Sequence, residues 1–478
     1  MKAITYSSPA FAGEGDHPQG GGGAFCGLKR RLHHASHGPP PPELRGRILI
    51  ALRLLAGCAL ALATPAVAQP APTTFIQAGR LLADPASGRV LTNQTILVQG
   101  GRVVAIRDGF VGAGEGEVVD LRDRFVLPGL IDAHVHICHE NGPNDQLRRT
   151  VQSAADLAVD GAYYAQLTLR AGFTTVADVG EENDAVFAVR DGIARGRIPG
   201  PRILAAGNAL SPHGGPGDPA GYRADVGRVL RRPSLCSGPE DCRRVTRETI
   251  HRGANLIKIV ATGSVLSELA SGLGQQFTDA EMRAIVESAH ALGRRVTAHA
   301  HDATAINAFL RAGGDSIQHG TNLDAESVRL LRSTNAYLVP TLLAGETVTR
   351  WGNDPNSHLS AAVREKALLV GPRMLDSTRR AHQGGVRIAF GTDSSVSPHG
   401  RNAREFSLLV QAGLSPIEAI RTATVNAADH LGISGEAGTI AAGRPADIIA
   451  VAGDPLRDVA ALEQVGFVMR GGRVYRRD

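Results

Sequence analysis

Between residues 129 and 392 the chain carries eight short apolar segments of strand type, and helical patterns fill most of the intervals between them. The segments are 129–136, 174–179, 202–206, 255–260, 295–299, 315–319, 336–340 and 387–392. One intervening helix is signalled by Thr278 with Glu281 three residues on, a capping box, after which Met282, Ile285, Val286, Ala289 and Leu292 share one apolar face. Another opens at Ser415, with Pro416 in the first helical position. Strands alternating with helices leave two architectures, an open doubly wound sheet or a closed barrel. A chain of 478 residues accommodates a barrel of about 250 residues with a satellite domain. Hydrophobic residues make up 43% of it and aromatics only 4%, so the core is expected to rest on Ala, Leu, Val and Ile.

The polar residues decide between the two architectures. In a barrel, catalytic groups sit at the C-terminal ends of strands, and residues two apart share a face. The first segment ends in Asp132-Ala133-His134-Val135-His136, which turns His134 and His136 the same way. The fourth carries Lys258 inside the apolar run Leu256–Val260. A buried ammonium is costly. Lys258 is therefore a snorkelling or salt-bridged side chain, or a neutral amine that takes up carbon dioxide to give a carbamate. The fifth segment ends at His299 with His301 beyond it, the sixth at His319 and the eighth at Asp393. Any one of these alone fits a satisfied core residue. His, His, Lys, His, His and Asp gathered at five strand ends point to a metal centre. The expected fold is α/β: a (β/α)8 TIM barrel with a small β-sandwich built from both termini.

The sandwich is read from the flanks. Short strands separated by glycine turns recur in 74–120, around Gly100-Gly101, and again in 448–474, around Gly471-Gly472. The expected domains are a leader over 1–68, the first part of the sandwich over 69–126, a metal-binding barrel over 127–434 and the second part of the sandwich over 435–478. In the leader, a Gly- and Pro-rich stretch precedes Arg45, Arg47 and Arg53, a short apolar run from Leu54 to Ala63 and Ala66-Val67-Ala68. This pattern is that of an export signal cleaved after Ala68, too short to span a membrane. Leu55-Ala56-Gly57-Cys58 offers a lipoprotein site as the alternative. The expected location is periplasmic or secreted. There, Cys236 and Cys242 are candidates for a disulfide, and Cys138 for a buried, inert thiol.

These residues resemble the amidohydrolase superfamily. The likeness is carried by the run Leu127-Pro128-Gly129-Leu130-Ile131-Asp132-Ala133-His134-Val135-His136, by Ile257-Lys258-Ile259, by Ala298-His299-Ala300-His301, by Gln318-His319-Gly320 and by Gly391-Thr392-Asp393. It extends from about Thr74 to the end, including Gly443-Arg444-Pro445-Ala446-Asp447. The nearest branch is the imidazolonepropionase-related one with a carboxylated lysine, which includes Xaa-Pro dipeptidases, carboxypeptidases acting on N-acyl amino acids and ochratoxin-type amidohydrolases. Thr341, the Pro398-His399-Gly400 stretch and the Cys236–Cys242 segment resemble it too.

The resemblance implies two divalent cations, Zn2+ first, with His134, His136 and Asp393 around one, His299 and His319 around the other and a CO2-derived carbamate on Lys258 between them. It implies amide hydrolysis by a metal-activated hydroxide, with Asp393 moving the proton to the leaving amine and His301 bonding the carbonyl oxygen or a substrate carboxylate. The substrate would be an N-acyl amino acid or an Xaa-Pro-type dipeptide losing its C-terminal amino acid. Cyclic amides or lactones are the alternative on the same site. A non-catalytic scaffold is a third, disfavoured by the complete ligand set. Substrate contacts are expected from Tyr222 and Arg223, from Ser264, from His139 and from His399. Ser264 stands where relatives more often have a second glycine, and His139 where a smaller residue is expected. Lys and Arg do not gather into one patch despite the formal charge of +5, so no nucleic-acid partner is expected. The partner is a small molecule, and the chain is expected to form a homo-oligomer without a membrane span.

Overall fold

The computed structural model describes residues 72–181, 183–219, 221–268 and 272–478. The leader expected over 1–68, with its cleavage site, lies outside the described residues. Four strands come first, β1 (Thr73–Leu81), β2 (Leu91–Gln99), β3 (Arg102–Asp108) and β4 (Glu117–Pro128). Then follow β5 (Leu130–Val135), β6 (Phe173–Asp178), β7 (Arg202–Ala205), the short pair β8 (Ser211–Pro212) and β9 (Leu235–Cys236), β10 (Ile257–Val260), β11 (Val296–Ala300), β12 (Ser316–His319), β13 (Tyr337–Val339) and β14 (Arg387–Ile388). The chain ends with β15 (Ile448–Val451), β16 (Val465–Arg470) and β17 (Arg473–Arg477).

Both termini do build one β unit. It is a single mixed sheet in the order β17-β16-β15-β4-β1-β2-β3. The sheet curls so that its edge strand β3 bonds back to the segment leading into β15, with Val103 N–H donating to the Arg444 carbonyl at 2.9 Å and Gly443 N–H to the Val103 carbonyl at 2.8 Å. Ile76, Ile96, Val119, Ile448 and Phe467 fill the enclosed space. The sequence pattern shows paired β-rich ends but not that they form one sheet, because pairing partners more than 300 residues apart leave no local signature.

All eight expected barrel segments are present, the first seven with ends within two residues of expectation and the eighth cut short. Ladder β5-β6-β7 and ladder β10-β11-β12-β13-β14 are parallel throughout. Backbone bonds join them at both seams. Asn255 N–H donates to the Ala205 carbonyl at 2.8 Å, and Leu210 bridges in parallel to Ile259. On the other side Ala133 N–H donates to the Phe390 carbonyl at 2.8 Å, and Val135 bridges to Ser394. The eighth segment keeps only Arg387–Ile388 as regular strand, because residues 389–394 leave the pleat to reach the end of β5. Near-continuous burial of β5, β6 and β12 is what a sheet covered on both faces requires.

The helices start where their caps dictate. Thr278 and Glu281 form a reciprocal capping box on Asp279–His290, and Ser415 with Glu418 does the same for Pro416–Arg421. Sparse aromatics still find a place in the core: Phe390 stands between Phe173, at 5.4 Å, and Phe406, at 4.5 Å between ring centres. Among the described residues no helix is long and apolar enough to cross a membrane. Cys236 and Cys242 are buried and form a disulfide that fastens β9 to the helix Pro239–His251. Cys138 is buried and free.

Candidate active site

A cavity of about 1150 Å3 opens at the C-terminal ends of the barrel strands. His134, His136, Lys258, His299, His301, His319 and Asp393 all line it, so every inferred ligand converges on one place. His134 Nε2 lies 3.3 Å and His136 Nε2 3.2 Å from the same oxygen, Oδ1 of Asp393. The ligand atoms of these three residues all fall within 4.8 Å of one another. The rings continue around the floor: His319 stands 5.1 Å from His134 and 4.6 Å from His299, centre to centre.

The second nitrogen of each ring shows what this gathering suits. His134 Nδ1 donates to the Gln318 side-chain oxygen at 2.8 Å, and His136 Nδ1 donates to the Gly180 carbonyl. Both partners are pure acceptors, so the proton sits on Nδ1 and Nε2 presents a lone pair. Two bare nitrogens thus face one carboxylate oxygen. Such a set repels itself unless a cation stands between, and tetrahedral N/O coordination is what zinc takes. His299 engages the Gly263 carbonyl through Nε2 at 3.2 Å, leaving Nδ1, and His319 engages Thr341 Oγ1 through Nδ1 at 2.8 Å, leaving Nε2. Burial pushes the His134 imidazole down to about 4 and takes His299 and His319 well below their usual range, so the rings are neutral, the form that binds metal.

Lys258 is 4% exposed on β10. Burial brings its amine down to about 8, opposed by Asp393 and Asp178. Its charge bears on His134, His299 and His301, with which it lines the same cavity.

Backbone strain concentrates here. His319, Thr341 and Asp393 take φ of 69°, 52° and 56°, a left-handed region that non-glycine residues occupy at a cost of ~1–3 kcal/mol each. Several buried groups hold them. Asp132 accepts from His134 N–H at 3.0 Å and Thr392 N–H at 3.2 Å through Oδ1, and from Thr392 Oγ1 at 2.6 Å and Asn402 Nδ2 at 2.8 Å through Oδ2. It thereby fixes the end of β5 against the loop that carries Asp393. Burial pushes its carboxyl up to about 6 despite the four donors. Gly391 is required by the same approach, because a Cβ there would stand 2.9 Å from His134 Cβ. Glu405 accepts from Leu342 N–H at 2.9 Å and Leu343 N–H at 2.6 Å, capping the helix Leu342–Asn353 immediately after Thr341. Asp178 and Glu181 play a similar part beneath His136, accepting from Ile137 N–H at 2.7 Å and Cys138 N–H at 2.9 Å. None of these supporting roles was read from the sequence. Asp132 had a signal, two residues before His134 and on its face. Glu405 had another, an acid on the buried stripe of its helix.

The expected substrate contacts divide. His139, Tyr222 and Ser264 line the cavity. His139 is braced by Glu181 at 3.1 Å and approaches Ser395 Oγ at 3.3 Å. The Ser264 carbonyl is held by Lys366 at 3.2 Å. His301 joins Thr321 Oγ1 through Nδ1 at 2.7 Å, so Nε2 is the nitrogen available to a ligand. Arg223 is not brought in. Its side chain is 80% exposed and pairs with Asp225 at 2.9 Å, while Arg231 and Arg232 of the same segment line the cavity instead. His399 is buried behind the wall, stacked on Tyr164 at 4.6 Å and bonded to the His139 carbonyl at 3.0 Å, so it positions the His139 loop.

Residues 125–475 match the model of the amidohydrolase family. The chain belongs to the amidohydrolase family. Among its relatives is the ochratoxinase of Aspergillus niger, 31% identical over 443 residues, covering 85% of this chain and 87% of that one. The imidazolonepropionase of Deinococcus radiodurans is 27% identical over 393 residues, covering 78% and 88%. Among solved structures, an Xaa-Pro dipeptidase with methionine bound in its active site superposes with a TM-score of 0.80 at 37% identity, covering 84% of this chain and all of that one. These amidohydrolases carry the TIM-barrel type of fold, in agreement with the eight-stranded arrangement here, and the chain is a hydrolase of amide bonds.

Proposed function

We propose that this amidohydrolase holds two divalent cations, zinc first, and releases the C-terminal amino acid of an N-acyl amino acid or Xaa-Pro-type dipeptide. One observation carries the reading: the unprotonated nitrogens of His134 and His136 meet a carboxylate oxygen of Asp393 within 3.3 Å, with Lys258, His299 and His319 on the same floor. His134, His136 and Asp393 would hold one cation and His299 and His319 the other, with Lys258, as its carbamate, shared between them. Bound there, the cations supply a Lewis acid for the scissile carbonyl and a water of lowered pKa. Asp393 would serve as the base that accepts a proton from the attacking water and returns it to the departing amine. His301, through Nε2, steadies the carbonyl oxygen. Gln318, Gly180 and Thr341 keep the rings oriented throughout. The relatives' names, ochratoxinase and Xaa-Pro dipeptidase, support the substrate class. Export is part of the same proposal, supported by the Cys236–Cys242 disulfide, a bond that persists in oxidising compartments.

The test is a panel of N-acyl amino acids, Xaa-Pro dipeptides and cyclic amides offered to the zinc-loaded enzyme, read by amine release. Turnover of the linear amides, lost on chelation and regained with zinc, is expected. Turnover confined to hydantoin or imidazolone rings would replace this reading with ring opening.

A further inference from the structure

One wall of the cavity is a turn whose own residues are poor at making one. After β10 the chain runs through Thr262 and Gly263 into Ser264-Val265-Leu266-Ser267, and these last four residues line the cavity. Ser267 N–H donates to the Ser264 carbonyl at 3.3 Å, which closes a β-turn with Val265 and Leu266 at its centre. Neither is a residue that favours a turn, so the conformation has to be held from outside. The stem is held by its own backbone: Gly263 N–H donates to the Gly274 carbonyl at 3.0 Å and Gln276 N–H to the Ala261 carbonyl at 2.8 Å. A Cβ on Gly263 would fall 1.7 Å from the Gly272 carbonyl oxygen, so only glycine lets the two limbs pass. The Gly263 carbonyl in turn engages His299 Nε2 at 3.2 Å, which joins the start of the turn to the histidine cluster.

The outside hold comes from the helix Ala361–Gln383. Lys366 Nζ donates to the Ser264 carbonyl at 3.2 Å and also to the Ser267 carbonyl, so it spans the two ends of the turn. An ammonium carries three N–H donors and no acceptor, which suits two carbonyls that converge on one point. Ser360 adds a second anchor ~9 Å back along the same helix, at 1.5 Å per residue. It caps the helix by accepting from Val363 N–H at 3.3 Å, and its hydroxyl donates to Glu268 Oε2 at 2.9 Å, just beyond the turn. The Glu268 carboxylate favours the charged form of Lys366 against burial, and that charge is felt at His301. We propose that Lys366 is a positioning residue of this hydrolase: by bridging the Ser264 and Ser267 carbonyls it sets the turn that presents Val265 and Leu266 to the substrate. This rests on the amide-hydrolase reading above and adds a residue, itself not among those lining the cavity, that governs how tightly the substrate is held.

Hydrogen exchange over residues 264–268 and steady-state kinetics test this, both on the zinc-loaded enzyme, with N-acetyl-L-phenylalanine and L-alanyl-L-proline as substrates. Lys366→Met removes the donors and keeps the length of the side chain. It is expected to speed exchange of the Ser267 amide by about tenfold, the size that follows from losing hydrogen bonds to a charged group. KM is expected to rise by about the same factor, with kcat within about threefold of the wild type. Lys366→Arg offers charge and donors again and is expected to return both quantities most of the way, which a general loss of packing would not show. Faster exchange in Lys366→Met while the wild type cleaves neither amide supports the tie and removes the substrate class proposed above. Unchanged exchange at 264–268 in Lys366→Met, or a loss of kcat at unaltered KM that Lys366→Arg does not restore, overturns the positioning role and leaves the hydrolase reading standing.

Discussion

Replacing Lys258 with alanine is expected to empty the centre of metal and lower kcat/KM by about a thousandfold or more, equivalent to about 4 kcal/mol of transition-state stabilisation. The charge of Lys258, like that of Asp393, reaches both His134 and His299. Its removal takes away the group that would join two cations and leaves a gap in a floor that is otherwise closed. Acetate or propionate fits that gap and presents the carboxylate geometry of a carbamate, so short carboxylic acids are expected to restore part of the activity in a concentration-dependent way. Metal content by elemental analysis and turnover with added acid check both halves. Normal turnover by a fully folded Lys258→Ala protein would remove Lys258 from the centre.

Asp393→Asn is expected to separate metal binding from catalysis. The amide has nearly the shape of the carboxylate, and Asp393 N–H still donates to the His134 carbonyl at 2.8 Å, so the loop and the imidazoles keep their places. What disappears is a base, since an amide cannot accept and return a proton. The rate is expected to fall by about 10²–10⁴, the contribution of a positioned general acid–base, with metal content largely retained. Steady-state kinetics on metal-replete enzyme tests this, and wild-type rates there would contradict the proton-transfer role.

The residues legible in the sequence share one property: their chemistry is out of keeping with their immediate surroundings. Lys258 is a charge in an apolar strand, and His134, His136, His299 and His319 are polar ends on apolar runs. Strand periodicity then fixes which way they turn. The barrel was legible for the same reason, since eight strands separated by helices bring all strand ends to one side. Loop residues obey no such period. Tyr222 reached the cavity and its neighbour Arg223 did not, because a segment without regular structure does not alternate faces predictably. Long-range partners were illegible on different grounds. Asp132 acts on Thr392 and Asn402, and Glu405 on the backbone of Leu342 and Leu343, across separations that only the folded chain reveals. These buried carboxylates hold the left-handed turns at Asp393 and Thr341, so much of what shapes the centre lies outside the residues that would bind metal.

The proposed chemistry requires two cations sharing the floor around Lys258. Diffraction from zinc-loaded crystals, with data collected on both sides of the zinc absorption edge, locates them directly. The prediction is two anomalous peaks, one against His134, His136 and Asp393 and one against His299 and His319, with extra density for a carboxylated Lys258 Nζ between them. A single peak, or two peaks beside an unmodified Lys258 that touches neither, would contradict it.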